Sequence, residues 1–177
     1  ALISFRRLSE DLGETHWFLR MLRDSSGAAE RLMNVLSNSA LIARLLENIP
    51  DSSEWFGDEA NLIPHSKEQI SQELRALIER NEGESADSIR VVRRREYLRV
   101  AIGAVLGALD LAQISKGLTE ITDAYLEAML QLAKIRTGVE IDLGIVAMGR
   151  LGGSELGFGS DADCMLVYRG DNDQSDS

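Results

Sequence analysis

The sequence has few of the residues that support disulfide-rich or membrane-spanning proteins. Its 177 residues include one cysteine, Cys164, so no internal disulfide can form, and we expect this side chain to be small, apolar and buried. No apolar run approaches the 18 residues that a membrane-spanning helix needs, and no signal or transit peptide is visible. These absences predict a soluble, cytoplasmic protein that does not bind a membrane.

Positive charge is also scarce. The formal net charge is −10, which argues against a general nucleic-acid binder, and Arg93-Arg94-Arg95 is the one dense basic cluster. Hydrophobic residues make up 44% of the chain, enough for a globular protein rather than a disordered one. The length suits one domain together with part of another.

Apolar residues at helical spacing predict a helical protein over the first 137 residues. Breaks and caps divide this region: Gly13 interrupts a first pair of helices, Ser39 is an N-cap within a helical hairpin, and Ser66 with Gln69 forms a capping-box pattern. Gly138 has the position of a helix-ending residue. The predicted helices cover 2–22 with a break, 28–36, 40–47, one short helix within 50–64, 66–80, 85–109 and 115–136.

The helix predicted over 85–109 has five arginines between its first turns and its middle, at positions 90, 93, 94, 95 and 99. The interpretation that we favour is a solvated face on which Glu96 pairs locally. The alternative is a basic face that approaches nucleotide phosphates or an acidic partner, because guanidinium groups bind such anions in a bidentate fashion.

A glycine-rich loop between two predicted strands follows the helices. The strands cover about 141–149 and 163–168, and the stretch from Gly149 to Asp163 contains five glycines. Residues without a Cβ tolerate positive φ and let the backbone approach a ligand closely, so this loop can place N–H groups around an anion.

Two aspartates, Asp161 and Asp163, end the loop. Side chains alternate along a strand, so both carboxylates are expected on one face, where they would repel each other unless a divalent cation such as Mg²⁺ binds them. A phosphate-binding loop followed by paired carboxylates is typical of metal-assisted phosphoryl or nucleotidyl transfer. The simpler alternative is a hairpin connection with two solvated acids.

Gly152-Gly153, seven intervening residues and then Asp161-x-Asp163 resemble the signature of the polymerase-β-like nucleotidyltransferases. The longer string GRLGGSELGFGSDAD resembles the bifunctional glutamine synthetase adenylyltransferase family, which attaches AMP to glutamine synthetase and removes it. The helical strings RLMNVLSNSALIARLLENIP and LISFRRLSEDLGETHWFLRMLRD are similar to that family's central region, but less specifically. The family pattern usually has Lys at position 150 and Ile or Leu at position 162, where this chain has Arg150 and Ala162.

The resemblance implies a reaction and assigns residues to it. A tyrosine hydroxyl of glutamine synthetase attacks the α-phosphate of ATP, and pyrophosphate leaves. Asp161 and Asp163 would be the catalytic, Mg²⁺-binding residues. The residues that would hold ATP are Gly152, Gly153 and Ser154, which seat the β and γ phosphates, and Ser160. A PII-type nitrogen signal protein is a further expected partner, and nitrogen metabolism is the expected process.

The resemblance also implies a division of the chain and its place in a larger enzyme. Residues 1–82 would belong to the central helical region and 83–177 to the first part of the nucleotidyltransferase domain. The expected fold class is therefore mainly α, with a helical bundle followed by the first two strands of a truncated α/β domain. A third carboxylate is expected beyond the chain, so we expect an excised fragment that is inactive alone.

Two alternatives remain open. The motif and the helices in front of it favour the adenylylating, C-terminal half of the enzyme, but the deadenylylating half, which acts by phosphorolysis, has a similar domain. A non-catalytic helical module that binds a partner protein is the alternative from another class. The sequence does not identify the acceptor or the effectors from physical reasoning alone.

Overall fold

The computed structural model describes residues 2–13, 15–25, 27–80, 85–138 and 142–169. Within these ranges the chain is mostly helical and ends in a two-stranded antiparallel sheet, which confirms the predicted fold class. No helix in the described residues has the length and apolar character needed to cross a membrane. The predicted boundary between residues 82 and 83 lies outside the described residues, so the division at that point stays a prediction.

The elements follow one another with short connections. The α-helices are α1 (Leu2–Leu12), α2 (His16–Asp24), α3 (Ala28–Asn38), α4 (Ala40–Asn48), α5 (Lys67–Arg80), α6 (Ser85–Val105), α7 (Leu111–Thr137) and the single turn α8 (Gly149–Gly152). Two 3₁₀ helices, Pro50–Gly57 and Glu59–Leu62, lie between α4 and α5. The strands are β1 (Asp142–Ala147) and β2 (Cys164–Arg169).

Local capping signals determine several of these boundaries as predicted. The Ser39 hydroxyl accepts a hydrogen bond from the Ile42 amide at 3.2 Å, as an N-cap does. Ser66 and Gln69 exchange side-chain and backbone bonds of 2.9 and 3.4 Å, which confirms the capping box before α5. Gly138 ends α7 with a φ of 63°, in the left-handed region that glycine adopts without steric cost.

Two predicted boundaries were wrong. Helix α6 ends at Val105 rather than near residue 109, because Gly107 adopts a φ of 70° and the Ala108 amide bonds back to the Gly103 carbonyl. Helix α7 begins at Leu111 rather than at 115. Asp110 and Gln113 form a second capping box there, with bonds of 2.8 and 2.9 Å that the sequence analysis did not consider.

The segment between Pro50 and Pro64 forms two 3₁₀ helices where one short helix was predicted. Pro50 stands in the first turn of the first of them, and Asp58 begins the second by accepting a 2.9 Å bond from the Ala60 amide. Phe56 and Leu62 are almost fully buried. The segment therefore closes one side of the hydrophobic core, as its apolar residues indicated.

The buried residues form two hydrophobic clusters joined by α6. The first lies among α1 to α4, the 3₁₀ helices and the C-terminal half of α6, where Leu98 and Ile102 are fully buried. The second lies among α5, the N-terminal half of α6 and α7, and it includes Leu151 and Leu156 of the glycine loop. Because α6 contributes to both clusters, it connects the helical region to the loop.

The basic face of α6 is not uniformly solvated, so the favoured interpretation was wrong for two of its arginines. Arg99 is 6% exposed, and it binds the Glu96 carboxylate at 3.0 Å while stacking on Trp55. Arg95 binds both Glu96 and Glu73, and these carboxylates raise its pKa above the ordinary value. Glu96, itself 1% exposed, does pair locally as expected, but it does so inside the protein.

The sheet pairs β1 with β2 from Asp142 opposite Arg169 to Ala147 opposite Cys164. Alternate residues of β1 are half-buried toward α7, whereas every residue of β2 is exposed. Cys164 is exposed as well, so the prediction that it is buried was wrong. In the described residues neither face of β2 is covered. The Cys164 side chain therefore has no neighbouring element of the described chain to pack against.

Candidate functional site

The glycine loop connects β1 to β2 and returns close to its own starting point. After β1, Met148 leads into the single turn α8, and the loop then reaches Asp161 and Asp163 just before β2. The Met148 amide donates a 2.8 Å hydrogen bond to the Asp163 carbonyl, which extends the pairing of the strands by one bond. The two ends of the loop are therefore adjacent, and its glycines and its aspartates lie on neighbouring backbone.

Two leucines anchor this loop to the helices. Leu151 and Leu156 are 2% and 4% exposed and belong to the cluster formed by α5, α6 and α7. Phe158 adds an edge-to-face contact with Tyr97 of α6 at a centroid distance of 5.4 Å. In the stretch Arg-Leu-Gly-Gly-Ser-Glu-Leu, the two leucines therefore pack in the core, and the polar residues face solvent.

Gly149 has a role that the sequence analysis missed. Its φ of 53° suits glycine, and a Cβ at this position would lie 2.9 Å from Oδ2 of Asp163. The Asp163 carboxylate therefore rests against the Gly149 backbone, in space that a side chain would fill. The sequence analysis treated Gly149 as a strand boundary only, although it begins the string that resembles the family.

The two adjacent glycines of the predicted phosphate site differ in their surroundings. A Cβ on Gly152 would lie 2.6 Å from the Ala147 carbonyl oxygen, so α8 packs against the end of β1 only because this residue is glycine. Gly153 has a φ of −84°, and a Cβ there would meet its neighbours at ordinary distances of 3.5 Å or more. Neither the backbone conformation nor the packing of the described residues requires a glycine at position 153.

Ser154 and Ser160 occupy distinct places in the loop. Ser154 has a φ of 58°, the one non-glycine residue with positive φ in the described part of the chain. The Ser160 hydroxyl accepts a 3.1 Å bond from the Gly157 amide and a 3.4 Å bond from Arg150. Ser160 therefore stabilises the turn and holds the exposed Arg150 guanidinium next to it. Arg150 was not among the site residues predicted from the sequence.

Asp161 and Asp163 precede β2 rather than lying within it, so the alternation of a strand does not determine their orientation. Both are exposed, and neither forms an ion pair with a basic residue of the described ranges. Among those residues no group of three or more His, Cys, Asp or Glu side chains is arranged to hold a metal. Two free carboxylates nevertheless fit Mg²⁺, which usually takes one or two protein carboxylates and completes its shell with water and substrate phosphates.

The contacts of the loop form two adjoining groups, which include two of the predicted site residues, Asp163 and Ser160, but not Asp161, Gly152, Gly153 or Ser154. The first comprises Gly149, Asp163 and the Met148 backbone at the start of the loop, and the second comprises Arg150, Gly157 and Ser160 at its far turn. An exposed glycine backbone, a guanidinium and carboxylates without cationic partners are suited to bind a phosphorylated ligand together with a divalent cation.

Comparison with known proteins gives the family. The family model described as glutamate-ammonia ligase adenylyltransferase matches residues 29–177. A bifunctional glutamine synthetase adenylyltransferase/adenylyl-removing enzyme from Leifsonia xyli subsp. xyli is 47% identical over 172 residues, which cover 95% of this chain and 17% of that protein. Proteins of the same name from Cutibacterium acnes and Mycolicibacterium smegmatis are 38% and 37% identical.

These two alignments cover 94% of this chain, and 17% and 18% of the respective relatives. The chain therefore spans less than a fifth of the length of the curated relatives it matches. The glycine loop, Asp161 and Asp163 all lie inside the residues that the family model matches. Since that match includes most of the sequence, the chain belongs to the glutamate-ammonia ligase adenylyltransferase family.

Proposed function

We propose that the chain is part of an enzyme that transfers AMP from ATP to a tyrosine of glutamine synthetase. The observation that supports this most directly is the geometry of Gly153. This residue has an ordinary φ, and a Cβ there would have no neighbour closer than 3.5 Å, so the described chain would accept a side chain that a ligand approaching the backbone would exclude. The names of the relatives indicate the reaction and its protein substrate.

In this proposal the loop binds the triphosphate of ATP. Gly152, Gly153 and Ser154 present their backbone to the β and γ phosphates, and Arg150 supplies a guanidinium that can bind phosphate oxygens. Ser160 supports this arrangement by holding the turn through its bonds with Gly157 and Arg150. The triphosphate is thereby aligned so that the α-phosphate faces the acceptor tyrosine.

Asp161 and Asp163 would hold Mg²⁺ in the same proposal. Bound there, the ion would offset negative charge on the transferring phosphoryl group and on the leaving pyrophosphate. The contribution of this chain is the position of the carboxylates. The Asp163 side chain rests against Gly149, and its carbonyl is bonded to Met148, so its backbone and its carboxylate are both fixed relative to β1.

The further parts of the proposal rest on the family resemblance of the sequence. They are a PII-type nitrogen signal protein as a second partner, a cytoplasmic location, and the adenylylating rather than the deadenylylating half of the enzyme. Exposed, unpaired carboxylates at the loop suit either half, because both reactions place a phosphate and a metal ion at the transferred AMP.

A labelling experiment tests the proposed function. The full-length protein that contains this chain is incubated with glutamine synthetase, Mg²⁺ and ATP labelled at the α-phosphate, and label on glutamine synthetase is measured. We expect labelling with the wild-type protein and a loss of at least about 100-fold for Asp161→Asn, which removes a metal ligand. Undiminished labelling by this variant would contradict the proposed adenylylation, and undiminished labelling together with an intact reverse reaction would contradict the assignment of the site.

The labelled residue and the reverse reaction complete the test. Label on tyrosine, and none on a glutamine synthetase whose acceptor tyrosine is replaced by phenylalanine, is the expected result. If Asp161→Asn instead abolishes only the transfer of AMP from modified glutamine synthetase to phosphate, which forms ADP, the chain belongs to the deadenylylating half.

A further inference from the structure

A cavity lies beside the glycine loop, on the side that faces the helices. It has a volume of about 340 Å³, within the range of small-molecule sites. Helices α4, α6 and α7 form most of its wall, and the loop closes it with Leu156, Gly157, Gly159 and Ser160. Ser160 is the one predicted ATP-binding residue in its lining, whereas Gly152, Gly153, Ser154, Asp161 and Asp163 do not line it, so the cavity adjoins the proposed triphosphate site but extends away from it toward the helices.

The lining of this cavity combines apolar side chains with unpaired cations. Leu41 and Leu45 of α4 and Leu118 and Ile121 of α7 supply apolar surface, and Tyr97 supplies an aromatic ring. The two charged residues of the lining are Arg93 and Arg94 of α6, and no carboxylate stands among the described lining residues.

The two arginines differ from the others of α6. Arg90 binds Asp87, Arg95 binds Glu73 and Glu96, and Arg99 binds Glu96. Arg93 and Arg94 form no ion pair within the described ranges, although Arg93 lies over the ring of Tyr125 at 4.9 Å.

A chain with a net charge of −10 offers many carboxylates, yet none of those described is within ion-pair distance of these two guanidinium groups. Both arginines are exposed, and because both line the same cavity, their guanidinium groups are available to an anion that enters it.

We propose that this cavity binds a small organic anion, a molecule with an apolar or aromatic body and a phosphate or carboxylate head group. The body would occupy the space among the leucines and Tyr97, and the head group would bind Arg93 and Arg94. The bound molecule would also contact the loop at Gly157 and Ser160, directly before Asp161. The binding site rests on the cavity and its charges, and it does not depend on the proposed AMP transfer.

The test uses 1-naphthyl phosphate as the probe, in titration calorimetry with the full-length protein and without divalent cations. This molecule has both features that the cavity requires, whereas inorganic phosphate lacks the apolar body and 1-naphthol lacks the charge. We expect the naphthyl phosphate to bind with a dissociation constant of about 1 mM or tighter, and each partial probe to bind at least about tenfold more weakly. Absence of binding would overturn the proposal, because another part of the protein would then fill the cavity.

Variants locate the probe. Arg93→Gln combined with Arg94→Gln should weaken binding at least about tenfold by removing both charge-assisted contacts. Leu41→Trp should weaken it similarly by filling the cavity while both charges remain. The control is Arg90→Gln, which makes the same Arg-to-Gln change once on the same helix, at a residue that pairs with Asp87 and does not line the cavity.

Two results would contradict the proposed position. If Arg90→Gln weakens binding as much as the double variant, the probe responds to net charge and not to this cavity. If Gly153→Val abolishes binding while the double variant retains it, the probe occupies the triphosphate site. Because the probe is measured without ATP or glutamine synthetase, failure of this test leaves the proposed AMP transfer unaffected, and failure of AMP transfer leaves this test unaffected.

Discussion

Glycines 149, 152 and 153 lie within five residues but meet different neighbours. Gly149 has a positive φ and leaves space for the Asp163 carboxylate, while Gly152 allows α8 to pack against the Ala147 carbonyl. Gly153 has an ordinary backbone conformation, and a Cβ there would meet its neighbours at ordinary distances of 3.5 Å or more. At the residue scale, the folded chain requires glycine at positions 149 and 152 but not at position 153, where our proposal assigns the missing side chain to a bound phosphate.

Alanine substitutions separate these roles. We expect Gly149→Ala to destabilise the 177-residue chain by about 1–2 kcal/mol, because alanine resists positive φ and its Cβ would displace the Asp163 carboxylate. Gly153→Ala should change stability by less than about 0.5 kcal/mol but weaken ATP binding by the full-length protein about tenfold. Urea unfolding and ATP titration measure the two effects. Similar stability losses for both variants, or unchanged ATP affinity for Gly153→Ala, would contradict this assignment.

Ser154 offers a second test at the residue scale. Its φ of 58° is unfavourable for a residue with a Cβ, so Ser154→Gly should stabilise the chain by about 1 kcal/mol. The same change removes a hydroxyl that we assign to phosphate binding, so ATP affinity of the full-length protein should fall. Stabilisation without loss of affinity would show that the serine hydroxyl does not contact the nucleotide.

At the scale of elements, α6 is the helix that combines packing in both clusters with a buried charge. It contributes to both hydrophobic clusters and also contains Glu96, a carboxylate that is 1% exposed. Arg95, Arg99 and His65 surround this carboxylate at 2.8, 3.0 and 3.1 Å. Since Arg99 also stacks on Trp55, this group of charges ties α6 to the segment between α4 and α5.

Replacing Glu96 should therefore be costly. Glu96→Gln leaves two guanidinium groups without their buried counter-charge, and we expect a loss of about 3 kcal/mol in the free energy of unfolding of the 177-residue chain. Urea unfolding followed by circular dichroism measures it. Glu79→Gln, an exposed substitution on α5, is the matched control and should change stability by less than about 0.5 kcal/mol. Equal effects would mean that the buried charges do not hold α6 in place.

The sequence predicted the elements better than their surroundings. Local interactions among a few neighbouring residues determine the order of the helices, the caps at Ser39 and Ser66 and the helix end at Gly138. The burial of Glu96 and the exposure of Cys164 depend on which elements pack together, and periodicity does not contain that information. The glycine loop and its aspartates were recognised from the sequence motif. The contact of Gly149 with Asp163 could be seen only in the folded loop.

At the scale of the whole molecule, the helical clusters and the sheet differ in how far they are enclosed. Leu118, Ile121 and Leu132 of α7 are buried, whereas every residue of β2 is exposed. Backbone amides open more readily where few buried contacts hold them. Between the two strands, Leu151 and Leu156 are an exception to this exposure, because they pack in the hydrophobic cluster of the helices.

Hydrogen exchange of the 177-residue chain should show this difference. We expect slow exchange across 116–136 of α7, faster exchange across 164–169 of β2, and intermediate protection near Leu151 and Leu156. Dilution should not alter the pattern if the chain is monomeric. Protection of β2 equal to that of α7 would contradict the exposure of both faces of this strand.

The most direct test of the central claim is whether Asp161 and Asp163 hold a divalent cation together with ATP. Bound Mn²⁺, which replaces Mg²⁺ at oxygen ligands, is counted by electron paramagnetic resonance in the full-length protein saturated with ATP. We predict that Asp163→Asn binds one Mn²⁺ fewer per chain than the wild-type protein, while Asp142→Asn on β1 binds as many. An unchanged number of bound Mn²⁺ ions in Asp163→Asn would contradict the claim that this loop is a metal-dependent nucleotide site.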